Sequence, residues 1–275
     1  MIRPILISAI LVAASGCTTW HNDSPPRSPA FSLPTPKREP GAAVLDIAFV
    51  SIDTRADIEK LWESIDQTVI PLDVRQGWEL NGLRIGRVQK PIDFDQRLAA
   101  IRRKSEESHG AMEATDVLSD LSHEDRRITC RIGKRYELPV RQPATEDQSV
   151  LLRIGADTVG RTLSRSQPLF AIRATAADIH SIQLALSPAI QHGELKQTWV
   201  GSDAALRLDN RRESWNLDEL LAETRLDQGS ILVVGSIMPP IGLGRMMFTG
   251  VTAEGDEDRV VMVIRVTELP ELDSR

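Results

Sequence analysis

The sequence predicts an α+β protein: a small N-terminal α/β layer followed by an antiparallel, sandwich-like β-rich C-terminal part. Three observations predict it. Residues 44–90 run from a buried-strand pattern through a helical stripe and a turn to a second strand. From about residue 125, short alternating runs recur, separated at short spacing by Pro, Gly, Asp and Asn, the grammar of an antiparallel sandwich or barrel. Two of those runs, ILVV at 231–234 and VVMVI at 260–264, are apolar on both faces, which marks them as central strands. No fixed-period repeat is visible.

The chain opens on MIRPILISAILVAASGC, residues 1–17. Arg3 is its single charge, residues 5–14 are apolar except for Ser8, and Ala14, Ser15 and Gly16 precede Cys17. A positive start, a short apolar run and small residues at its end make 1–16 a signal peptide. The apolar run is about half of the roughly 20 residues that span a bilayer as a helix. With a cysteine directly after the small residues, the stretch resembles the lipobox of bacterial lipoproteins. The pattern departs at Ala14, where Leu is usual, with Leu11 and Val12 further upstream. The resemblance implies that Cys17 is acylated and becomes the new N-terminus. It implies a cell-envelope protein, lipid-anchored to a bacterial membrane, with the periplasmic side of the outer membrane the expected place. Each buried acyl CH₂ contributes about 0.8 kcal/mol, and two or more chains make anchoring stable.

Residues 17–43 then read as the lipidated cysteine and a tether. Six prolines fall within 18–43, with Ser, Thr and Asn between them. Such chain is extended and builds no core. Trp20 and Phe31 lie in it, and Trp20 sits at a membrane interface or in solvent. The charge balance excludes one class of partner. The chain has 33 Lys+Arg and 39 Asp+Glu, a net charge of −6, and loss of residues 1–16 removes one arginine and makes it −7. Nucleic acid, which needs a basic face, is therefore not expected. Of the two cysteines, Cys17 carries lipid, so Cys130 has no intrachain partner; it reads as a buried small hydrophobe on a strand.

Globular structure is expected from Val44, with an α/β segment over 44–124 and a β-rich domain over 125–275. Residues 44–52 form the first strand. Residues 54–57 look like a capping box ahead of a helix whose stripe is Ile58, Leu61, Trp62 and Ile65, which makes Trp62 a core residue. A short helical turn at 71–77 and a strand at 83–88, entered through Asn81-Gly82, follow. A helix at 93–107 places Phe94, Leu98 and Ile101 on one side, and its basic end, 102–104, reads as a solvated last turn. Residues 105–124 are polar. The expected strands beyond are 126–133, 135–140, 150–156, 160–164, 168–174, 180–186, 195–201, 217–225, 230–235 and 260–266. Their turns lie at Pro188, Gly193, Asp209-Asn210, Gly229 and Gly255, among others.

The order of motifs near the C-terminus resembles a known family. IQLALSP at 182–188 is followed by His192-Gly193; LDQGSILVVG at 226–235 comes next, then PPIGLGRMMF at 239–248 and VVMVIRV at 260–266. This looks like the C-terminal domain of bacterial secretins, over 178–267 or more loosely 44–267. It implies a shared β-fold piece rather than a channel, since neither long membrane hairpins nor N-terminal ring modules are found. Ser236 stands where that family has a second glycine, the loop is shortened, and Thr267-Glu268 replaces a closing Thr-Pro.

The search for chemistry finds no G-x-S-x-G, phosphate loop, H-E-x-x-H or C-x-x-C pattern. Gly242-Leu-Gly-Arg245 reads as a tight turn. His180, His192 and Glu194 have no zinc spacing. The acidic run 254–258 reads as a solvated hairpin tip rather than a calcium loop. Trp199 and Trp215 read as sheet or core residues rather than sugar platforms. No catalytic, metal or cofactor residues are assigned. The expectation is a non-enzymatic structural or protein-binding role, attached to a membrane through Cys17, with an envelope-protein partner or self-association through sheet edges. The alternative is an envelope enzyme or ligand-binding module whose polar groups converge only in three dimensions.

Overall fold

A computed structural model describes residues 41–102, 126–202, 205–251 and 257–271, with backbone alone over 198–202 and 205–209. In chain order the elements begin with β1 (Ala42–Ile52), α1 (Glu59–Trp62), β2 (Ile65–Asp66), α2 (Leu72–Leu80), β3 (Leu83–Val88) and α3 (Pro91–Ile101). Next come β4 (Arg126–Arg131), β5 (Arg135–Pro139), the hairpin of β6 (Gln148–Ile154) and β7 (Asp157–Leu163), β8 (Gln167–Asp178), β9 (Ser181–Ser202) and β10 (Ala205–Asn216). A 3-10 helix (Asp218–Leu220) leads to β11 (Ala222–Asp227), β12 (Ile231–Ser236), α4 (Gly242–Phe248), β13 (Thr249–Val251) and β14 (Glu257–Glu268). The protein is β-rich, and its sheets are antiparallel.

The larger sheet has the order β2-β3-β12-β14-β1-β4, with β13 beside β14. Its strands come from both sides of residue 124, so the first and last parts of the chain interleave. The smaller sheet has the order β10-β9-β8-β5, with β11 also on β9. The two inner faces enclose the main core. Leu45, Ile47 and Phe49 of β1, Leu232 and Val234 of β12, and Met262 and Ile264 of β14 cluster with Phe170 and Ile172 of β8 and Leu184 and Leu186 of β9. On the other face of the larger sheet, Val233 and Val261 pack with Leu61, Trp62, Phe94 and Ile101. The strands β12 and β14 are therefore covered on both faces. That is the physical reason their sequences lack polar alternation, and both are central as expected.

Several expected elements differ. The stripe from Ile58 to Ile65 is not one helix: α1 spans four residues, and Ile65 already belongs to β2, paired with Val88. The expected capping box is not made: Ile58 stands at the N-cap with no side-chain cap, and Asp57, just ahead of it, accepts the Glu59 N–H at 3.2 Å. Residues 217–225 are not one strand but the 3-10 helix followed by β11. Asp209-Asn210 is no turn; both residues lie within β10, opposite Thr198 and Gln197. The expected strands 180–186 and 195–201 fall, from Ser181 onward, in a single strand, β9, which continues through Pro188 and Gly193. Proline is tolerated there because Pro188 falls between the end of β11 pairing at Leu186 and the start of β10 pairing at Ala189. No ladder bond needs its missing N–H, while its carbonyl accepts the Leu217 N–H at 3.1 Å.

One joint ties three elements together. The Asn81 side chain donates to Gly77 O and to Arg153 O, each at 2.8 Å, and accepts the Arg153 N–H at 2.8 Å. It thus acts as a strand partner for β6. The Asn81 carbonyl accepts the Gly244 N–H at 3.0 Å, and the Gly82 carbonyl accepts the Ile237 N–H at 2.9 Å. The backbones of the Asn81-Gly82 turn and of α4 are in direct contact. Gly242-Leu-Gly-Arg245, expected as a tight turn, is the start of that helix.

Candidate functional site

Two features of the smaller sheet stand apart from the filled core. The first is a ribbon. Pairing between β8 and β9 ends at Gln167 opposite Gln191, but β9 and β10 continue as a pair from Lys196 opposite Arg211 to Ser202 opposite Ala205. Beyond Gln191, β9 has only β10 as a strand partner among the described residues. The ribbon leaves the sheet at an irregular place: Gly193 has φ +75°, and the register shifts between Arg211 and Glu213. Its base is tied down. The Gly193 N–H donates to Ser164 O at 2.8 Å, and Arg165 pairs with Glu194 at 2.6 Å. Lys196 hydrogen-bonds Glu213, which holds that carboxyl below the usual carboxylate range. Leu195, in the ribbon, is 64 % exposed.

The second feature is the outer face of the same sheet. Small residues of the middle strands, Ala171, Ala185 and Ser187, are its floor, and long polar side chains from the edges stand over them. A trough of about 740 Å³ is bordered by Arg135, Glu137, Gln167, Gln191, Arg211 and Arg212. A smaller hollow of about 270 Å³, which shares Arg135, is lined by Arg173, Ala185, Ser187 and Asp218. Arg135 donates to Asn216 Oδ1 at 2.7 Å, and Gln191 donates to Glu137 Oε2 at 2.7 Å. Ser187 Oγ donates toward Leu217 O at 3.3 Å and lies 3.5 Å from Asp218 Oδ1.

The residues singled out in the sequence are mostly kept apart. His180 lies in the turn before β9 and His192 twelve residues along that strand, roughly 40 Å at strand spacing. Among the described residues no group of three His, Cys, Asp or Glu is placed to hold a metal, and no helix is long and apolar enough to cross a membrane. Trp215 is half-buried with the Arg161 guanidinium 4.2 Å over its ring, so the face that would stack on a sugar is taken. Trp62 is a core residue, 3 % exposed. Trp199 lies in the ribbon, opposite Leu208. Arg102 is exposed, just past α3. The acidic run needs correction at Asp258. It is not solvated but buried, its carboxylate 3.0 Å from Arg141, because β14 begins before the run ends. Cys17, Trp20, Phe31, 103–124 and 254–256 lie outside the described residues.

Cys130 is buried on the inner face of β4, and burial pushes its thiol up to about 12. A thiol held neutral and out of contact is inert. An aromatic disulfide reagent should therefore leave Cys130 untouched at pH 8 in the native chain and modify it on unfolding in denaturant. Prompt reaction of Cys130 in the native chain would contradict the burial.

No protein-family model, curated protein or solved structure matches the chain. The trough, the ribbon and the Arg141–Asp258 pair went unseen in the sequence. Each depends on strand register between segments far apart, for which no local pattern exists.

Proposed function

We propose that this is a lipid-anchored cell-envelope protein with a non-enzymatic, protein-binding role. Acyl groups on Cys17 hold it to the periplasmic side of the outer membrane, and its α+β body contacts another envelope protein or a second copy through sheet edges. The observation that carries the reading is the β9–β10 ribbon. Two strands standing beyond their sheet turn outward N–H and C=O groups that no other described strand pairs. An isolated two-stranded ribbon is marginal in water, so a partner that adds to it satisfies the backbone and stabilises the ribbon. The filled core between the two sheets supports a scaffold rather than a ligand cavity. A relation to secretins is part of the proposal, supported by the order of apolar strand β12, Pro239-Pro240, helix α4 ending in Phe248, and apolar strand β14.

Two measurements test it. Cys17→Ser should move the protein out of the carbonate-washed membrane fraction. Because Cys130 is silent, a fast-reacting thiol on the native protein is unmodified Cys17, and finding one defeats the lipid reading. A photo-crosslinking residue at Leu195 should capture a discrete neighbour in intact membranes, whereas one at Ile92, 74 % exposed on α3, should not. Equal capture at both positions, or none at Leu195, defeats the ribbon contact.

A further inference from the structure

The opposite edge of the smaller sheet carries a charge arrangement that the fold alone does not explain. Residues 126–135 hold five cations and no carboxylate in a chain whose net charge is −6, and of these Arg127 is paired with Asp46 of β1. They form β4, a turn and the start of β5. The Gly133 N–H donates to Ala174 O at 2.8 Å, which sets the turn against β8. As a result Arg135 and Arg173 are direct cross-strand partners, both exposed, with Lys134 beside them. Like charges directly opposite each other destabilise a sheet. Nothing in the ladder offsets this: the next partner of Arg173 is Ala185, and Glu223 lies one strand further. Arg135 makes its hydrogen bond to neutral Asn216, and Arg173 has no ion pair among the described residues. The nearby acids are otherwise engaged: Glu137 accepts from Gln191, and Asp218 faces Ser187.

The same two arginines border the smaller hollow, which joins the trough through Arg135. Beside them is an open edge. Among the described residues β5 is the last strand in its sheet and pairs only with β8, so alternate backbone groups of Arg135–Pro139, apart from the absent N–H of Pro139, point outward. We infer that β5 and the Arg135–Arg173 pair bind an extended acidic segment of a partner protein. The segment adds as a strand along β5, with one carboxylate opposite Arg135 at the register it shares with Arg173, while the position two residues along meets Glu137, which is held by Gln191. A carboxylate between two guanidiniums converts a repulsive pair into two charge-assisted hydrogen bonds. A second contact edge thus lies across the sheet from the ribbon, with the trough between them bordered by Arg135 on one side and by Leu195 at the ribbon's base on the other; the inference rests on the protein-binding reading but not on which edge the ribbon's neighbour uses.

The test uses the full chain in detergent and a fluorescent octapeptide alternating glutamate and threonine, followed by anisotropy. Binding should be clear at about 50 mM salt and should weaken strongly by about 300 mM. Arg173→Glu should weaken it by about tenfold or more, while Lys60→Glu, an exposed cation on α1, should not change it. Arg173→Thr should also lose binding yet melt no lower than the parent, because it removes the like-charge pair; this separates a lost site from a lost fold. Binding no tighter than that of the glutamine analogue, or unchanged by Arg173→Glu, overturns the inference. So does full displacement by about 10 mM inorganic phosphate, which would mark a small-anion site without strand addition. Failure here with the Leu195 crosslink intact removes this site alone; loss of both removes the protein-binding reading.

Discussion

Gly244→Ala should lower the stability of the fold by about 3 kcal/mol or more, a large share of the roughly 5–15 kcal/mol that holds a domain folded. A Cβ at this position would lie 1.8 Å from the Gly82 carbonyl oxygen and 2.4 Å from its carbon. Both are backbone atoms, so no side chain can swing aside. Gly82 is equally confined: with φ +81°, its own Cβ would meet Ile241 O at 2.0 Å. Separation of the two backbones would stretch the Gly244 N–H bond to Asn81 O and the Ile237 N–H bond to Gly82 O together. Gly229→Ala is the comparison. It also has positive φ, +83°, but nothing lies within 4 Å of its Cβ, so only the conformational cost of about 1–2 kcal/mol applies. Urea unfolding followed by circular dichroism ranks the two. Equal losses would mean that the turn and α4 are not in contact.

Trp78→Ala should cost about 3–5 kcal/mol by the same measurement. Trp78 is fully buried, and its ring stacks on Phe170 at 6.0 Å between centroids, with Phe248 tilted 6.1 Å beyond. The three rings join α2, β8 and α4 in the main core. Its indole N–H donates to Leu220 O at 2.7 Å, tying α2 to the 3-10 helix that follows β10. Trp78→Phe separates the two contributions. It keeps most of the apolar volume but leaves a buried carbonyl without its donor, so a loss of about 1–3 kcal/mol is expected. Trp62→Phe provides the contrast. The Trp62 indole N–H is buried and has no hydrogen-bond partner among the described residues, so its removal should cost less than Trp78→Phe. If the two Phe variants lose the same amount, the Leu220 bond contributes nothing.

These residues also mark what was readable from sequence. The strands β12, β14 and β3 were legible because burial leaves a direct trace: apolar residues on both faces, or strict alternation. The helix expected through Ile65 failed because apolar residues at helical spacing also fit a short helix followed by a strand. The strand β10 was missed because its residues are charged and polar, and Asp209-Asn210 has turn chemistry; pairing with β9 overrides that preference. Pro188 misled for a similar reason, since only the switch of partners from β11 to β10 makes a proline acceptable there. The glycines at 82, 242 and 244 were readable as turns but not as neighbours. The Arg135–Arg173 pair is 38 positions apart in sequence and becomes visible only through the register of β5 on β8.

The threading of the larger sheet has a consequence for how the molecule is made. The strand β1 sits between β4 and β14, and Thr267 Oγ1 donates to Val44 O across 223 positions of sequence. A nascent chain therefore carries the apolar strand β1 unpaired on that side until β14 has been made. Such late closure makes for slow completion and a long window in which the emerging polypeptide is sticky. Whatever escorts it must stay bound until the final strand arrives, and a premature stop before β14 yields not a smaller version of the body but an open sheet.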